Sequence, residues 1–232
     1  MSFVLVAPKE PGNIGSSARA IRNMGFRTLE LVNPCGFLSG DARKMAHNAV
    51  DILERAVAHT DLRDAIRDKC LVAGTTRRTG RHRGLVLPLK TAAEKIIPKA
   101  GKNKVAILFG REDKGLKNKE AEECDFLITI PTDSRSPSLN LSQSVMLVAY
   151  ELGQASYKAD PRALIARKEM EELFGHVRST LRLLDYVPRG KRDIEEKIMR
   201  NLRHLIGKTG LTEWELKMLR GLCAQVEKKL RG

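Results

Sequence analysis

Ser138 and Asn140 stand where one apolar run gives way to another. Phe126 to Ile130 is β-branched and apolar and reads as a strand, and Pro131, with no N–H to donate, ends its ladder. Leu141 then opens a run with helical spacing through Val148. A hydroxyl and an amide between a strand's end and a helix's start are the tools of a small-molecule pocket, and they are equally ordinary helix caps. Two other segments have the same form. The strand Phe3–Ala7 leads into Pro11-Gly12-Asn13-Ile14-Gly15-Ser16-Ser17-Ala18-Arg19, and the strand Val105–Phe109 leads into Gly110-Arg111-Glu112 and then Lys114-Gly115-Leu116. Three polar loops at strand carboxyl ends is where an open α/β sheet holds its ligand.

The elements that must position these loops alternate along the chain. Strand-like runs fall at 3–7, 28–33, 70–75, 104–109 and 126–130. Helical patterns fall at 15–24, 43–56, 61–67, 91–99, 118–123 and 141–153. The strands are continuous apolar runs, as strands covered on both faces should be, so the expectation is a parallel sheet with helices on both faces. After Gly153 the composition shifts, and the stretch ending at Asp160-Pro161 reads as a linker. Three helical patterns follow at about 162–186, 191–206 and 212–230, separated by Pro188-Arg189-Gly190 and Gly207-Lys208-Thr209-Gly210. Thr212 and Glu215 have capping-box spacing at the start of the last one. The expected division is an α/β unit over 1–155 and a basic helical extension over 156–232.

At 232 residues, 25.9 kDa and a net charge of +14 with a pI near 9.9, the chain fits one α/β domain plus an appendage, and it calls for a polyanionic partner. From Pro161 onward, 17 Lys/Arg stand against 10 Asp/Glu, so half the net charge sits in 72 residues. No window approaches the roughly 18 apolar residues of a spanning helix, and no basic leader precedes the first strand, so a cytoplasmic setting is expected. Cys35, Cys70, Cys124 and Cys223 are too scattered for a zinc or redox pair; Cys70 and Cys124 read as small buried hydrophobes. Aromatic content is only 4%, which favours phosphate and sugar contacts over base stacking.

Several candidates have plain alternatives. Gly110 and Gly115 have phosphate-loop spacing, but Leu116 stands where that loop needs lysine, and no GxGxxG follows the first strand. Arg77-Arg78-Thr79-Gly80-Arg81-His82-Arg83-Gly84 is either a solvated charge run or an RNA-clasping loop. His47, His59, His176 and His204 lack metal-ligand spacing, and Trp214 reads as an anchor of the last helix.

The three loops in this order resemble the three motifs of the SpoU/TrmH-type RNA ribose 2′-O-methyltransferases of the SPOUT superfamily. The tail segments Gly210-Leu211-Thr212-Glu213-Trp214-Glu215 and Met218-Leu219-Arg220-Gly221-Leu222 resemble the C-terminal signature of its TrmJ branch. The resemblance implies a deep trefoil knot near 104–145, against the usual rule of unthreaded chains. It also implies a homodimer whose substrate groove crosses the subunit boundary, with S-adenosylmethionine as cofactor and no metal. Methyl transfer then depends on positioning and on managing the hydroxyl proton.

By this resemblance Asn13, Arg19, Glu112, Ser138 and Asn140 carry the catalytic roles. A guanidinium keeps its proton, so Arg19 is read as a bidentate clamp on the target phosphate that also steadies developing charge on the 2′-oxygen. Without the motif it is a solvated helix residue. Asn13 would orient Arg19 or the ribose, or cap the helix. Glu112 would order Arg19 or neighbouring loops; its alternative is a surface carboxylate. Asn140 would brace its loop, and Ser138 would touch the substrate phosphate. Cofactor contacts fall on Thr75, Thr76, Arg77, Gly110, Ile130, Pro137, Ser138 and Leu139, mostly through backbone groups, with Pro137 a departure from the small hydroxyl residue common there. RNA contacts fall on Arg19, Arg22, Arg77, Arg78, Arg81 and Arg83. The TrmJ-like tail points to tRNA, at nucleotide 32 of the anticodon loop. The alternatives are ribosomal RNA as substrate, an inert RNA-binding or assembly factor, and a nucleotide-dependent α/β enzyme.

Overall fold

A computed structural model describes residues 1–78, 84–133, 135, 137–154, 160–186 and 192–231. Seven parallel strands form one sheet in the order β3-β2-β1-β6-β4-β7-β5. They are β1 (Ser2–Val6), β2 (Thr28–Val32), β3 (Val57–His59), β4 (Leu71–Thr75), β5 (Val86–Pro88), β6 (Val105–Phe109) and β7 (Phe126–Thr129). Helices α1 (Pro11–Asn23), α2 (Gly40–Ala46), α3 (Val50–Glu54), α4 (Leu62–Ile66), α5 (Leu89–Ala100), α6 (Asn118–Glu122) and α7 (Leu141–Gln154) cover it. Alternate strand residues point to opposite faces, and two apolar cores result. Phe3, Leu5, Ile107 and Phe109 face α1, α2, α5 and α7, whereas Val4, Val6, Val72 and Leu108 face α4 and α6.

The five expected strands are all present and parallel. The three-residue strands β3 and β5 were not expected, since three residues are too few to set a period and both lie at the sheet's edges. Helix α1 starts at Pro11, four residues earlier than its apolar spacing predicts, because proline at N1 lacks only an amide that has no intrahelical partner there. The expected helix 43–56 is interrupted at His47, whose φ of 52° ends α2 before a 3₁₀ turn leads into α3.

Strand β7 lies between β4 and β5 and pairs with both. Before β7 the chain runs through α6 on one face, and after β7 it forms α7 on the other.

Three helices make up the tail: α8 (Arg167–Leu183), α9 (Arg192–Thr209) and α10 (Glu213–Arg231). They share a small core of their own around Met170, Leu173, Phe174, Met199, Ile206 and Leu216. The capping box forms as expected: the Thr212 amide donates to Glu215 Oε2 at 2.7 Å and the Glu215 amide to Thr212 Oγ1 at 3.4 Å. Gly207, expected to separate two helices, instead lies inside α9. A Cβ there would stand 2.7 Å from Asp125 Oδ1, so its absence lets α9 approach the start of β7.

Asp125 also joins the tail to the sheet. Its Oδ2 accepts from the Val72 amide at 2.8 Å and from Arg167 Nη2 at 2.9 Å, and its side chain is wholly buried. Replacing Arg167 with methionine leaves that carboxylate without its countercharge. The expected cost is about 3–5 kcal/mol of folding free energy, read by denaturant titration; a loss below about 1 kcal/mol would show the pair to be dispensable.

All four cysteines are free, and burial pushes the Cys70 thiol up to about 11, in keeping with a packing role. No helix among the described residues is long and apolar enough to cross a membrane.

Candidate active site

Strands β1, β6, β4 and β7 are neighbours, so their carboxyl ends deliver four loops to one place. There a cleft opens, walled by the ends of β4, β6 and β7 and the first turn of α7. Thr75, Thr76 and Arg77 leave β4, Gly110 leaves β6, Ile130 leaves β7, and Pro137, Ser138 and Leu139 close the far side. All eight residues expected to hold a cofactor therefore line a single cleft. Phe109, Leu116, Ile128 and Leu141 add apolar wall, and Arg78, Lys114 and Ser144 add polar rim. Leu141 and Ser144 were not singled out beforehand, because their run reads only as the core face of a helix. Arg81 and Arg83 lie outside the described residues.

Local bonds hold each wall. The Thr75 hydroxyl donates to the Leu108 carbonyl (3.2 Å), and the Thr76 amide donates to the Ile128 carbonyl (2.9 Å). The loop after β6 folds back tightly: the Gly115 amide donates to the Arg111 carbonyl (2.9 Å), and Gly115 has a φ of 64°. A Cβ on Gly110 would stand 2.0 Å from the Gly115 carbonyl carbon and 2.1 Å from the Leu116 nitrogen. Glycine is therefore required at 110 for backbone to meet backbone. Arg111 clamps the turn with two parallel bonds to Glu120, each 2.8 Å.

A relay of hydrogen bonds joins the three polar loops. Asn140 Nδ2 donates to Asn13 Oδ1 at 2.9 Å, and Asn13 Nδ2 donates to Glu112 Oε1 at 3.0 Å. The Ser142 amide donates to Asn140 Oδ1 at 2.8 Å, and the Lys9 amide donates to Glu112 Oε2 at 3.1 Å. Both ends fix the direction of the relay. The Ser142 amide can only donate, so Asn140 must turn its oxygen to it and its nitrogen to Asn13; the carboxylate can only accept. Burial works to raise the Glu112 pKa, but the Asn13 amide and the backbone N–H groups of Glu112, Lys9 and Glu10 outweigh it and hold the group below the ordinary carboxylate range. Its contribution to stability is therefore complete above the ordinary range and is lost as pH falls through the lowered value.

Arg19 is not part of this relay. It is exposed on α1, six residues beyond Asn13, which sets it roughly 9 Å further along the helix and about 120° around it. Glu112 thus orders Asn13 and the loop after β1 rather than Arg19. Arg22 is paired with Asp51 and does not line the cleft. Ser138 is exposed at the cleft's lip.

The sequence profile of the SpoU rRNA Methylase family matches residues 1–150, the span that builds the sheet and its cleft. The chain belongs to the SpoU methylase family. A second profile, that of the C-terminal domain of the tRNA methyltransferase TrmJ, matches residues 168–232. This SpoU methylase is 33% identical to the tRNA (cytidine/uridine/adenosine-2′-O-)-methyltransferase TrmJ of Pseudomonas aeruginosa, over 99% of this chain and 94% of the relative. It is 33% identical to the tRNA (cytidine-2′-O-)-methyltransferase TrmJ of Methanocaldococcus jannaschii, over 93% and 96%. Its fold superposes on the crystal structure of TrmJ from Z. mobilis ZM4 with a TM-score of 0.82 at 31% identity, covering 97% of this chain and 98% of that one.

Proposed function

We propose that this chain transfers the methyl group of S-adenosylmethionine to a ribose 2′-OH of tRNA, at nucleotide 32 of the anticodon loop, as a cytoplasmic homodimer. The observation that carries the reading is the relay Glu112–Asn13–Asn140, which locks the three motif loops around one cleft. The donor set fits the cofactor. Leu116, Ile130, Leu139 and Leu141 offer apolar faces to a purine, Thr75, Thr76 and the 137–139 backbone offer polar groups to its edges and ribose, and Gly110 leaves room for close approach. When bound, the cofactor supplies a methyl group on a sulfonium that is already a good leaving group, so no metal is called for.

The chain's own residues hold the rest. Arg19 clamps the phosphate next to the target ribose and stabilises negative charge as the 2′-oxygen loses its proton. Ser138 at the lip contacts the same phosphate, while Asn13, Glu112 and Asn140 keep the loops in register. Arg77 and Arg78 line the approach for RNA.

Two features favour a dimer that completes the site. Arg19 lies off its own relay, and the helices packed against α1 carry exposed apolar side chains: Leu147 and Tyr150 on α7, and Met45 on α2, beside Gly12. A second copy seated there brings Arg19 to the partner's cofactor. In this reading residues 1–155 form the methyltransferase unit and 156–232 a basic extension that grips tRNA. The relatives named as tRNA methyltransferases and the TrmJ C-terminal match favour tRNA over ribosomal RNA.

Titration calorimetry of the full chain with S-adenosylmethionine is expected to show saturable binding. No heat of binding at millimolar cofactor would favour an inert RNA-binding module instead.

A further inference from the structure

A second groove lies where α4 and α6 face the tail helices α8 and α9. It encloses about 810 Å³ and is lined by eight cationic and four anionic side chains. Most of its carboxylates are already committed. Glu123 accepts from Arg63 Nε at 3.2 Å and Arg203 Nη1 at 3.3 Å, Glu171 from Arg203 Nη2 at 2.9 Å, and Glu196 from Arg178 Nη2 at 3.2 Å. Arg167 is spent on Asp125. Arg67, Lys119, Lys168 and Arg200 remain, one on or beside each of the four walls, all exposed and in no ion pair among the described residues.

We propose that this groove binds the phosphodiester backbone of the RNA substrate, holding the strand that flanks the one in the cofactor cleft. The inference rests on the RNA-methyltransferase reading above and adds a second contact surface to it. Four unpaired cations spread over four elements suit a chain of phosphates rather than one focused anion. Among the described residues no aromatic side chain lines the groove, so the contact is to backbone rather than to stacked bases. Continuity supports the same occupant: Lys114 rims the cofactor cleft, and Lys119, five residues on, lines this groove. The turn that walls the first cleft leads directly into the helix that walls the second.

The test is the full-length double variant Lys168→Glu/Arg200→Glu, read by tRNA anisotropy over a salt series together with methyl-transfer kinetics. Position 168 is in the first turn of α8, where a glutamate suits the helix N-terminus, so folding should survive; the milder Lys168→Ala/Arg200→Ala controls for the reversal. The expected result is a tRNA Kd raised about tenfold or more and a log–log salt slope shallower by about 1–2, from losing one or two phosphate contacts. KM for tRNA should rise with kcat at saturating RNA and the cofactor Kd unchanged. An unchanged affinity and slope beside a wild type that methylates tRNA would overturn the groove and leave the enzyme reading intact. A wild type that grips tRNA through these residues yet transfers no methyl group would uphold the groove and overturn that reading. A wild type with no affinity for tRNA would overturn both.

Discussion

Arg19→Ala is expected to lower methyl transfer to tRNA by about 10³-fold, the scale on which a charge-stabilising arginine acts in transfer reactions. Cofactor affinity should stay within about twofold, because Arg19 does not line the cleft. Arg19→Lys keeps the charge and loses the planar fork, so it should recover only a minor part of the rate. The proposed dimer adds a sharper readout. If Arg19 serves the partner's cofactor, mixing Arg19→Ala with a cofactor-site variant such as Gly110→Val restores one working site per heterodimer. Random assortment then returns roughly a quarter of wild-type activity from two inactive proteins. Normal turnover by Arg19→Ala would remove the clamp from the mechanism, and no recovery on mixing, with heterodimers verified, would place the arginine in its own subunit's site.

Asn13→Ala carries the second large effect. It removes the middle of the relay, leaving Asn140 Nδ2 without its acceptor and Glu112 Oε1 without its side-chain donor. Losing a hydrogen bond to a charged group while stranding its partners costs about 1.5–3 kcal/mol, and loops out of register by a fraction of an ångström lose effective molarity as well. A fall of about 10²-fold in kcat/KM is expected, with a weaker cofactor Kd, since the relay also sets the lip of the cleft. Glu112→Gln should fall short of a rescue. Its oxygen can still meet Asn13, but its amide nitrogen then faces the Lys9 N–H, donor against donor. Kinetics within twofold of wild type for Asn13→Ala would show that the loops hold their places without the relay.

How far the site was legible depends on whether its signals were local. The residues that the family resemblance assigns to the cofactor line one cleft because their loops follow neighbouring parallel strands, whose apolar runs are visible in sequence. The helix starting at Leu141 and the Thr212–Glu215 capping box were legible for the same reason. Partnerships across the chain were not. Asn13 meets Glu112 across 99 residues and Asn140 across 127, and nothing local distinguishes these three from loop or capping residues. The expectation that Glu112 orders Arg19 or neighbouring loops came from motif membership; its bonds go to the loop after β1, and the helical offset between Asn13 and Arg19 sets the arginine apart. Gly207 misled in the opposite way. A glycine near a helix's expected end reads as a stop, whereas here the missing Cβ makes space for Asp125. The edge strands β3 and β5 owe their pairing to neighbours rather than to any pattern of their own.

Nucleoside mass spectrometry tests the central claim most directly. Total tRNA is incubated with the purified enzyme and S-adenosylmethionine carrying a deuterated methyl group, then digested fully to nucleosides and in parallel to mapped fragments. The label should appear in 2′-O-methylated nucleosides, and in the fragments that contain nucleotide 32. Label found on a nucleobase, or none at all from an enzyme that binds its cofactor, would contradict a site built to act on ribose.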